Sequence, residues 1–318
     1  KWRKKINLYL GINNLKKIVK SKVAFCVNSI SGIDGLEPTL DIIPNTKNIL
    51  IANKESIICG WNLIHKKLIK YKTNFIPIDS EHFSIWELIK NENSENIKKI
   101  ILTASGGPFL NMKKKKLHNI KPSLALKHPN WKMGKKISID SSTMMNKIFE
   151  FIEAKKIFNL SNNQLSILIH PSSFVHAIVF FKGNLIKLLA HETTMSVPIS
   201  NALGIKNDLN NTFVEKNYDK LNYLKFLKPN DNMFPLLSLL KVLPNKNTLF
   251  ETILITLNDT LVKKYLNGSI NYNSIQLNLL KHTKNPYFKK FYKLKPKSIY
   301  DIKKTVVLTK SYLEKNLI

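Results

Sequence analysis

The sequence predicts an α/β protein that closes in a bundle of helices, and three observations carry that prediction. Short apolar runs alternate with helical patterns over residues 23–104, glycine and proline mark turns along the chain, and beyond Pro235 the apolar residues recur at helical spacing. Taken in order, residues 23–29 read as a short buried strand, followed by a turn bearing Gly32 and Gly35, a helix from Thr39 and a second strand at 48–52. A helix over 55–70, a strand at 75–78, a helix from His82 and a strand at 99–104 continue the alternation, which is the pattern of a parallel sheet. The polar, lysine-rich stretch 110–127 is of the kind that forms a mobile cover over a site. Residues 144–158 have helical spacing, and 165–170, 177–181 and 185–189 read as strands of a second, mixed sheet. A segment rich in Asn, Asp and Lys, 206–232, reads as a linker. Helices are then expected at 235–243, 249–266, 274–284 and 298–317, enough for a small bundle.

The 318 residues carry 51 Lys and Arg against 21 Asp and Glu, a formal charge of +30. Such an excess raises nucleic acid as a partner, because clustered bases neutralise phosphates. Nearly all of it is lysine, however, and Lys, Asn and Ile are enriched together along the whole chain, as when AT-rich codons accumulate. The sharpest run, Lys113 to Lys116, has no aromatic residues interleaved to stack on bases, so it reads as a solvated face and no nucleic acid is expected. No apolar run reaches the ~18 residues of a membrane span, and residues 1–5 lack the apolar stretch of a secretory signal. Cys26 and Cys59 form no disulfide framework, zinc spacing or redox motif, which fits a reducing compartment.

Three segments carry chemistry. Asp79-Ser80-Glu81-His82 follows a strand and so lies at the carboxyl edge of a sheet, where open α/β proteins take their ligands. Asp79 and Glu81 are hard oxygen donors, and two residues apart in a turn they can aim at one Mg²⁺ or Mn²⁺ ion. The plainer alternative is a helix cap, with Asp79 or Ser80 taking free amides and Glu81 complementing the dipole. Further on, Asp140-Ser141-Ser142-Thr143 is expected to lead into a helix carrying Asn146, Lys147 and Glu150 on one face. Hydroxyls and free amides at a helix start, with Lys147 one turn in, would cradle a phosphate. The alternative is a capped surface helix whose Lys147–Glu150 pair contributes ~0.3–0.5 kcal/mol. Ser105-Gly106-Gly107-Pro108 either brings backbone amides close to an anion or is an ordinary turn. His65, His118 and His282 are assigned no role.

Read together and in order, six segments resemble the 1-deoxy-D-xylulose 5-phosphate reductoisomerase family. They are Ala52-Asn53-Lys54-Glu55-Ser56, Pro77-Ile78-Asp79-Ser80-Glu81-His82, Ser105-Gly106-Gly107-Pro108-Phe109, the His-Pro-Asn-Trp-Lys-Met-Gly stretch 128–134, residues 140–147 and Leu168-Ile169-His170-Pro171. The turn at 32–39 also fits, and their compatible spacing over 32–195 makes the resemblance specific; beyond that it rests on helical character and Leu257-Asn258-Asp259.

The resemblance implies a partial Rossmann-like NADPH domain at 1–79, an α/β catalytic domain at 80–205, a linker at 206–232 and a helical domain at 233–318. It implies NADPH-dependent rearrangement and reduction of 1-deoxy-D-xylulose 5-phosphate to 2-C-methyl-D-erythritol 4-phosphate, an isoprenoid precursor step of the non-mevalonate pathway. Asp79, Glu81 and Glu150 would hold a divalent metal (Mg²⁺, Mn²⁺ or Co²⁺) acting as a Lewis acid. Lys54, Ser80, Ser105, His128, Ser141, Asn146 and Lys147 would bind the phosphorylated sugar. Trp131 and Met133 would lie on a closing loop, and Asn53, Lys54, Glu55 and Gly134 would face the cofactor. A homodimer is implied, with a bacterial cytoplasm as setting and a plastid-type organelle as the other place where the pathway occurs.

Some features depart from the family. Its opening strand and Gly-x-Thr-Gly-Ser-Ile-Gly turn have no counterpart, since residues 1–21 hold a single glycine, Gly11. The expectation is a piece of a longer chain; the alternatives are a non-catalytic metal- and phosphosugar-binding homologue that lost its cofactor loop and, more distantly, a basic nucleic-acid-binding protein. Ile148 stands where the family generally has glycine and is expected to crowd the phosphate contact, and Thr193 replaces a proline.

Overall fold

A computed structural model describes residues 10–11, 15–112, 117, 120–131, 133–205 and 213–316, so the lysine run at 113–116 and His118 lie outside the described residues. After a short helix α1 (Leu15–Ile18), the strands β1 (Val23–Asn28), β2 (Thr46–Ile51) and β3 (Asn74–Pro77) form a parallel sheet in that order. The helices α2 (Leu36–Ile42) and α3 (Lys54–Tyr71) join them and pack on each other. That packing requires Gly60, where a Cβ would stand 2.4 Å from a Leu36 methyl. β1 is not the buried strand its apolar residues predict: Phe25 and Val27 are 40% and 46% exposed, because the sheet face they share is left partly open among the described residues.

Helix α4 (Ser80–Ile89) follows β3, and β4 (Ile97–Ala104) then leaves the first sheet. The expected continuation of one parallel sheet through 99–104 is therefore corrected. β4 is an inner strand of a four-stranded sheet ordered β5-β4-β6-β7, with β5 (Leu165–Ile169) parallel to it and β6 (Val175–Phe181) antiparallel, β7 (Ile186–Ala190) pairing with β6. Ile100, Ile101 and Leu102 are all buried, so β4 needs cover on both faces; that requirement identifies an inner strand without saying of which sheet.

Between β4 and β5 come α5 (Pro122–Ala125), α6 (Lys135–Ser142) and α7 (Met145–Ile157). The described residues of the stretch 110–127 do not form the cover over the site: Leu117, Ile120 and Ala125 are buried in the main core, and none of the described residues of the stretch lines the site cavity. Asp140 to Thr143 do not start the following helix. They fall at the end of α6, and α7 begins only after Met144, which takes the left-handed conformation at φ 65°.

After α8 (Ser196–Ala202), the segment read as a linker contains α9 (Phe213–Asn222) and returns to the second sheet, where Leu227 bridges Ile169. Residues 235–241 form a 3₁₀ helix instead of an α-helix, burying Leu236 and Leu239 at the three-residue spacing that a 3₁₀ turn superposes. The helices α10 (Phe250–Leu266), α11 (Tyr272–Thr283) and α12 (Ile299–Asn316) complete the fold; α10, buried along most of its length, packs against α11, α12, α3 and α6. One continuous apolar core thus joins the first sheet's helices, α7 and the bundle. No helix among the described residues is long and apolar enough to cross a membrane.

Candidate active site

The turn after β2 delivers Lys54, the turn after β3 delivers Asp79, Ser80 and Glu81, and the turn after β4 delivers Ser105. The end of α6 adds Ser141, the first turns of α7 add Asn146, Lys147 and Glu150, and the loop before α6 adds His128, Trp131 and Met133. All of these line one cavity of about 150 Å³, so every residue expected to hold metal or substrate, or to form the lid, comes together.

Asp79 is the N-cap residue of α4, yet its side chain caps nothing. Its Oδ2 instead accepts from Lys54 Nζ at 2.5 Å and contacts His82 Nδ1 at 3.2 Å, forgoing a cap contact typically worth ~1 kcal/mol. Nor is Lys147–Glu150 an exposed pair on a surface helix. Both residues are buried; Lys147 Nζ donates to Glu150 Oε2 and, at 2.6 Å, to Glu81 Oε1. Asn146 Nδ2 donates to Glu150 Oε1 at 2.5 Å, and Ser80 Oγ to Glu81 Oε2 at 2.5 Å.

One oxygen from each of Asp79, Glu81 and Glu150 falls within a 4.8 Å cluster. Burial alone would raise all three carboxyls, but the nearest cations divide them. Lys54 holds Asp79 well below the usual carboxylate range, Lys147 holds Glu81 at about 2, and Glu150 is pushed up to about 7 by burial and by the Glu81 charge beside it. Three acidic groups thus share two ammoniums, Lys54 lying 3.7 Å from Glu150 as well. An all-oxygen, net-negative set of this kind suits a hard divalent cation such as Mg²⁺ or Mn²⁺.

His128 is kept neutral, its imidazole pushed down to about 4 by burial and by Lys147. Its Nδ1 accepts from the backbone amides of Asn130 (3.2 Å) and Trp131 (3.0 Å), which assigns the ring proton to Nε2. Nε2–H then donates to Ser105 Oγ at 3.0 Å; that oxygen also accepts from Gly107 N at 3.0 Å, leaving the Ser105 hydroxyl proton available to a ligand. Gly107 has φ 68°, and a Cβ there would lie 3.0 Å from Ser141 O, so the glycine lets this turn press against the end of α6. The hydroxyl cradle is consequently built from separate turns, correcting the expectation of a single helix start. Ser142 is turned away, donating to Ile139 O, and Asp140 is buried against Lys136 (3.1 Å) and Asn258 (2.7 Å).

The four residues expected at the cofactor line a second cavity of about 410 Å³ beyond the carboxyl ends of β1 and β2, together with Ser29, Ser31 and Lys136; it shares Lys54, Ile137 and Asn146 with the first. Asn53 offers no free amide there, since its side chain accepts from Ser56 N at 2.7 Å and donates to Ile30 O and Gly32 O. Glu55 pairs with Lys136 at 2.7 Å. Ile148 does not crowd the site: it is fully buried in the core on the other side of α7 and lines neither cavity.

Sequence reasoning missed Met144, Ser173, His176 and Met195, which also line the first cavity, and gave His82 no role. His176 stacks on His191 with centroids 3.8 Å apart and meets the Trp131 ring edge-on at 6.0 Å. Its signal in the sequence is a histidine inside an otherwise apolar strand.

Known proteins of one family resemble this chain in sequence and in fold. Residues 1–60 match the 1-deoxy-D-xylulose 5-phosphate reductoisomerase family, 75–158 match the C-terminal domain of that reductoisomerase, and 191–310 match a further C-terminal domain of it. The reductoisomerase of Pelagibacter ubique is 53% identical over 302 residues, covering 94% of this chain and 77% of the relative; that of Persephonella marina is 38% identical, covering 86% and 72%. A crystal structure of DOX-P reductoisomerase in complex with NADPH, fosmidomycin and magnesium superposes with a TM-score of 0.81 at 32% identity, covering 92% of this chain and 74% of that one. The Zymomonas mobilis reductoisomerase in complex with NADPH gives 0.80 at 27% identity, covering 95% and 77%. With that identity and coverage, the chain belongs to the 1-deoxy-D-xylulose 5-phosphate reductoisomerase family.

Proposed function

We propose that this chain carries out the NADPH-dependent reductive isomerisation of 1-deoxy-D-xylulose 5-phosphate to 2-C-methyl-D-erythritol 4-phosphate, with Asp79, Glu81 and Glu150 holding a divalent metal. The observation that carries the reading is the convergence of these three carboxylates within 4.8 Å, in the cavity that also holds Lys147, Ser105 and His128. A bound divalent metal would act there as a Lewis acid on the substrate's oxygens.

The protein's own groups supply the rest. Ser105, Ser141, Asn146 and Lys147 offer hydrogen bonds and charge to the phosphate, and that remote binding energy orients the reacting carbons. Lys54 and Ser80 stand beside the acidic cluster to hold the sugar backbone, while neutral His128 keeps the Ser105 hydroxyl turned toward ligand. Trp131 and Met133 line the cavity and would close over the substrate to exclude water. NADPH would approach from the adjoining cavity, where Lys54, Glu55 and Gly134 lie at strand carboxyl ends, Asn53 shaping the turn.

A homodimer is part of the proposal, supported by the exposed apolar side chains Leu185, Ile186 and Leu188 at and beside the edge strand β7. Sedimentation should give twice the mass of the chain, and a monomer at micromolar concentration would remove that part.

The deciding measurement is NADPH oxidation with 1-deoxy-D-xylulose 5-phosphate and Mg²⁺ or Mn²⁺. A metal-dependent rate is expected; substrate binding without any oxidation would favour the non-catalytic homologue instead.

A further inference from the structure

Helix α7 presents Asn146, Glu150 and Glu153 on one face, because they follow one another at spacings of four and three residues. The first two line the cavity, whereas Glu153 lines neither cavity. It is buried, and its Oε2 has no hydrogen-bond partner among the described residues. Burying a polar group without such a partner is unfavourable, so this carboxyl needs a reason beyond packing.

What Glu153 faces is His82. Its Oε2 stands 3.9 Å from Nδ1 of an imidazole that is wholly buried. Nε2 of that ring donates to the Glu150 carbonyl at 2.9 Å, and the ring of Phe158 lies near-parallel to it at 6.5 Å between centroids. Nδ1 meets Asp79 Oδ2 at 3.2 Å, the same oxygen that takes Lys54 Nζ at 2.5 Å. Both contacts fall on one oxygen of Asp79, so Oδ1 stays clear of them. Removing orienting partners of this kind behind a ligand typically lowers metal affinity by about 10–100-fold.

We propose that Glu153 is a positioning residue for the metal site: it holds the His82 ring so that Nδ1 fixes Oδ2 of Asp79 and leaves Oδ1 to the ion. The proposal rests on the reading of Asp79 as a metal ligand. Its test is Mn²⁺ affinity, measured by titration of the free-ion electron paramagnetic resonance signal, together with metal-free melting temperature.

Glu153→Ala is expected to weaken Mn²⁺ binding by roughly 10–100-fold with no fall in metal-free melting temperature. Glu153→Gln, which keeps the shape and an acceptor oxygen, is expected to bind within about threefold of wild type, by the same reasoning on orientation. His82→Phe should reproduce the alanine loss, and Glu153→Ala added to it should cost nothing more, since coupled residues are non-additive. Wild-type affinity in Glu153→Ala overturns the proposal, as does a full, additive loss in the double variant. Equal losses in the Ala and Gln variants overturn it too. Should Glu153→Ala not fold, the Gln variant's retained affinity and the His82→Phe loss still decide. Asp79→Asn separates the two levels: if it binds Mn²⁺ like wild type, the metal assignment itself fails and not merely the role of Glu153.

Discussion

Two clusters of lysine and carboxylate, made of the same residue types, face opposite ways in their logic. Around the cavity, Asp79, Glu81 and Glu150 draw close to one another and the ammoniums of Lys54 and Lys147 flank them. Around Lys136, one ammonium stands at the centre, 2.7 Å from Glu55 of α3 and 3.1 Å from both Asp140 of α6 and Asp259 of α10. The first arrangement concentrates negative charge at a point open to a ligand. The second spends its charge on joining three helices, and Asn258 adds an amide to Asp140. Composition does not separate a binding site from a brace; what separates them is whether ammoniums flank a cluster of carboxylates or one ammonium stands inside it.

The comparison can be broken most directly at Glu150. Glu150→Gln is expected to lower metal-dependent NADPH oxidation by at least ~10³-fold, because the charge that would bind the Lewis acid is gone. Its metal-free melting temperature should hold, and a wild-type rate would end the ligand-site reading of the first cluster. Lys136→Met is the matching test of the brace. It leaves Glu55, Asp140 and Asp259 without their shared cation and is expected to cost ~1–3 kcal/mol in urea denaturation, less than for a fully buried pair because Lys136 is one-third exposed. A loss of activity at unchanged stability would show that Lys136 serves the site and not the fold.

Ile148→Val addresses the core behind the cavity. The side chain is buried away from the ligand, so a loss of ~0.5–1.5 kcal/mol in stability is expected with the Michaelis constant for the phosphorylated sugar unchanged. The smallest effect belongs to Asp259, whose carboxyl is pushed up to about 6 mainly by burial. A carboxyl raised in the folded state holds its proton there after the unfolded chain has released it, so it contributes stability at low pH that is lost as pH rises through about 4 to 6. Its side chain is 37% exposed, and solvent screening keeps the effect under ~1 kcal/mol. Melts across this range should therefore show wild type losing ground to Asp259→Asn as pH rises; parallel curves would mean that the brace does not perturb Asp259.

The site was legible in the sequence where local spacing sufficed. Asp79 and Glu81 follow a strand two residues apart, and Asn146 and Glu150 share a helix face, so their convergence needed only that the two segments meet. What was not legible depends on partners distant in sequence. An apolar run such as β4 reads as a covered strand, but its membership of the second sheet is settled by pairing with Leu165 to Ile169 and with β6, some sixty to eighty residues later. Asn53 sits in a recognisable motif, yet its amide is taken by Ile30 and Gly32, carbonyls of a turn more than twenty residues earlier. The break between α6 and α7 turns on Met144 adopting φ 65°, a conformation that methionine's own preferences do not announce.

His128 adds a consequence of its own. One unshared electron pair, on Nδ1, is the acceptor for two successive amides of the segment that carries Trp131, so the shape of that segment depends on a nitrogen staying bare. Acid should unfasten it: a proton taken up as pH falls from the ordinary histidine range toward about 4 would turn the acceptor into a donor and release both amides at once. Trp131 fluorescence would register that unlatching as a step in acid, well before the helices around it melt.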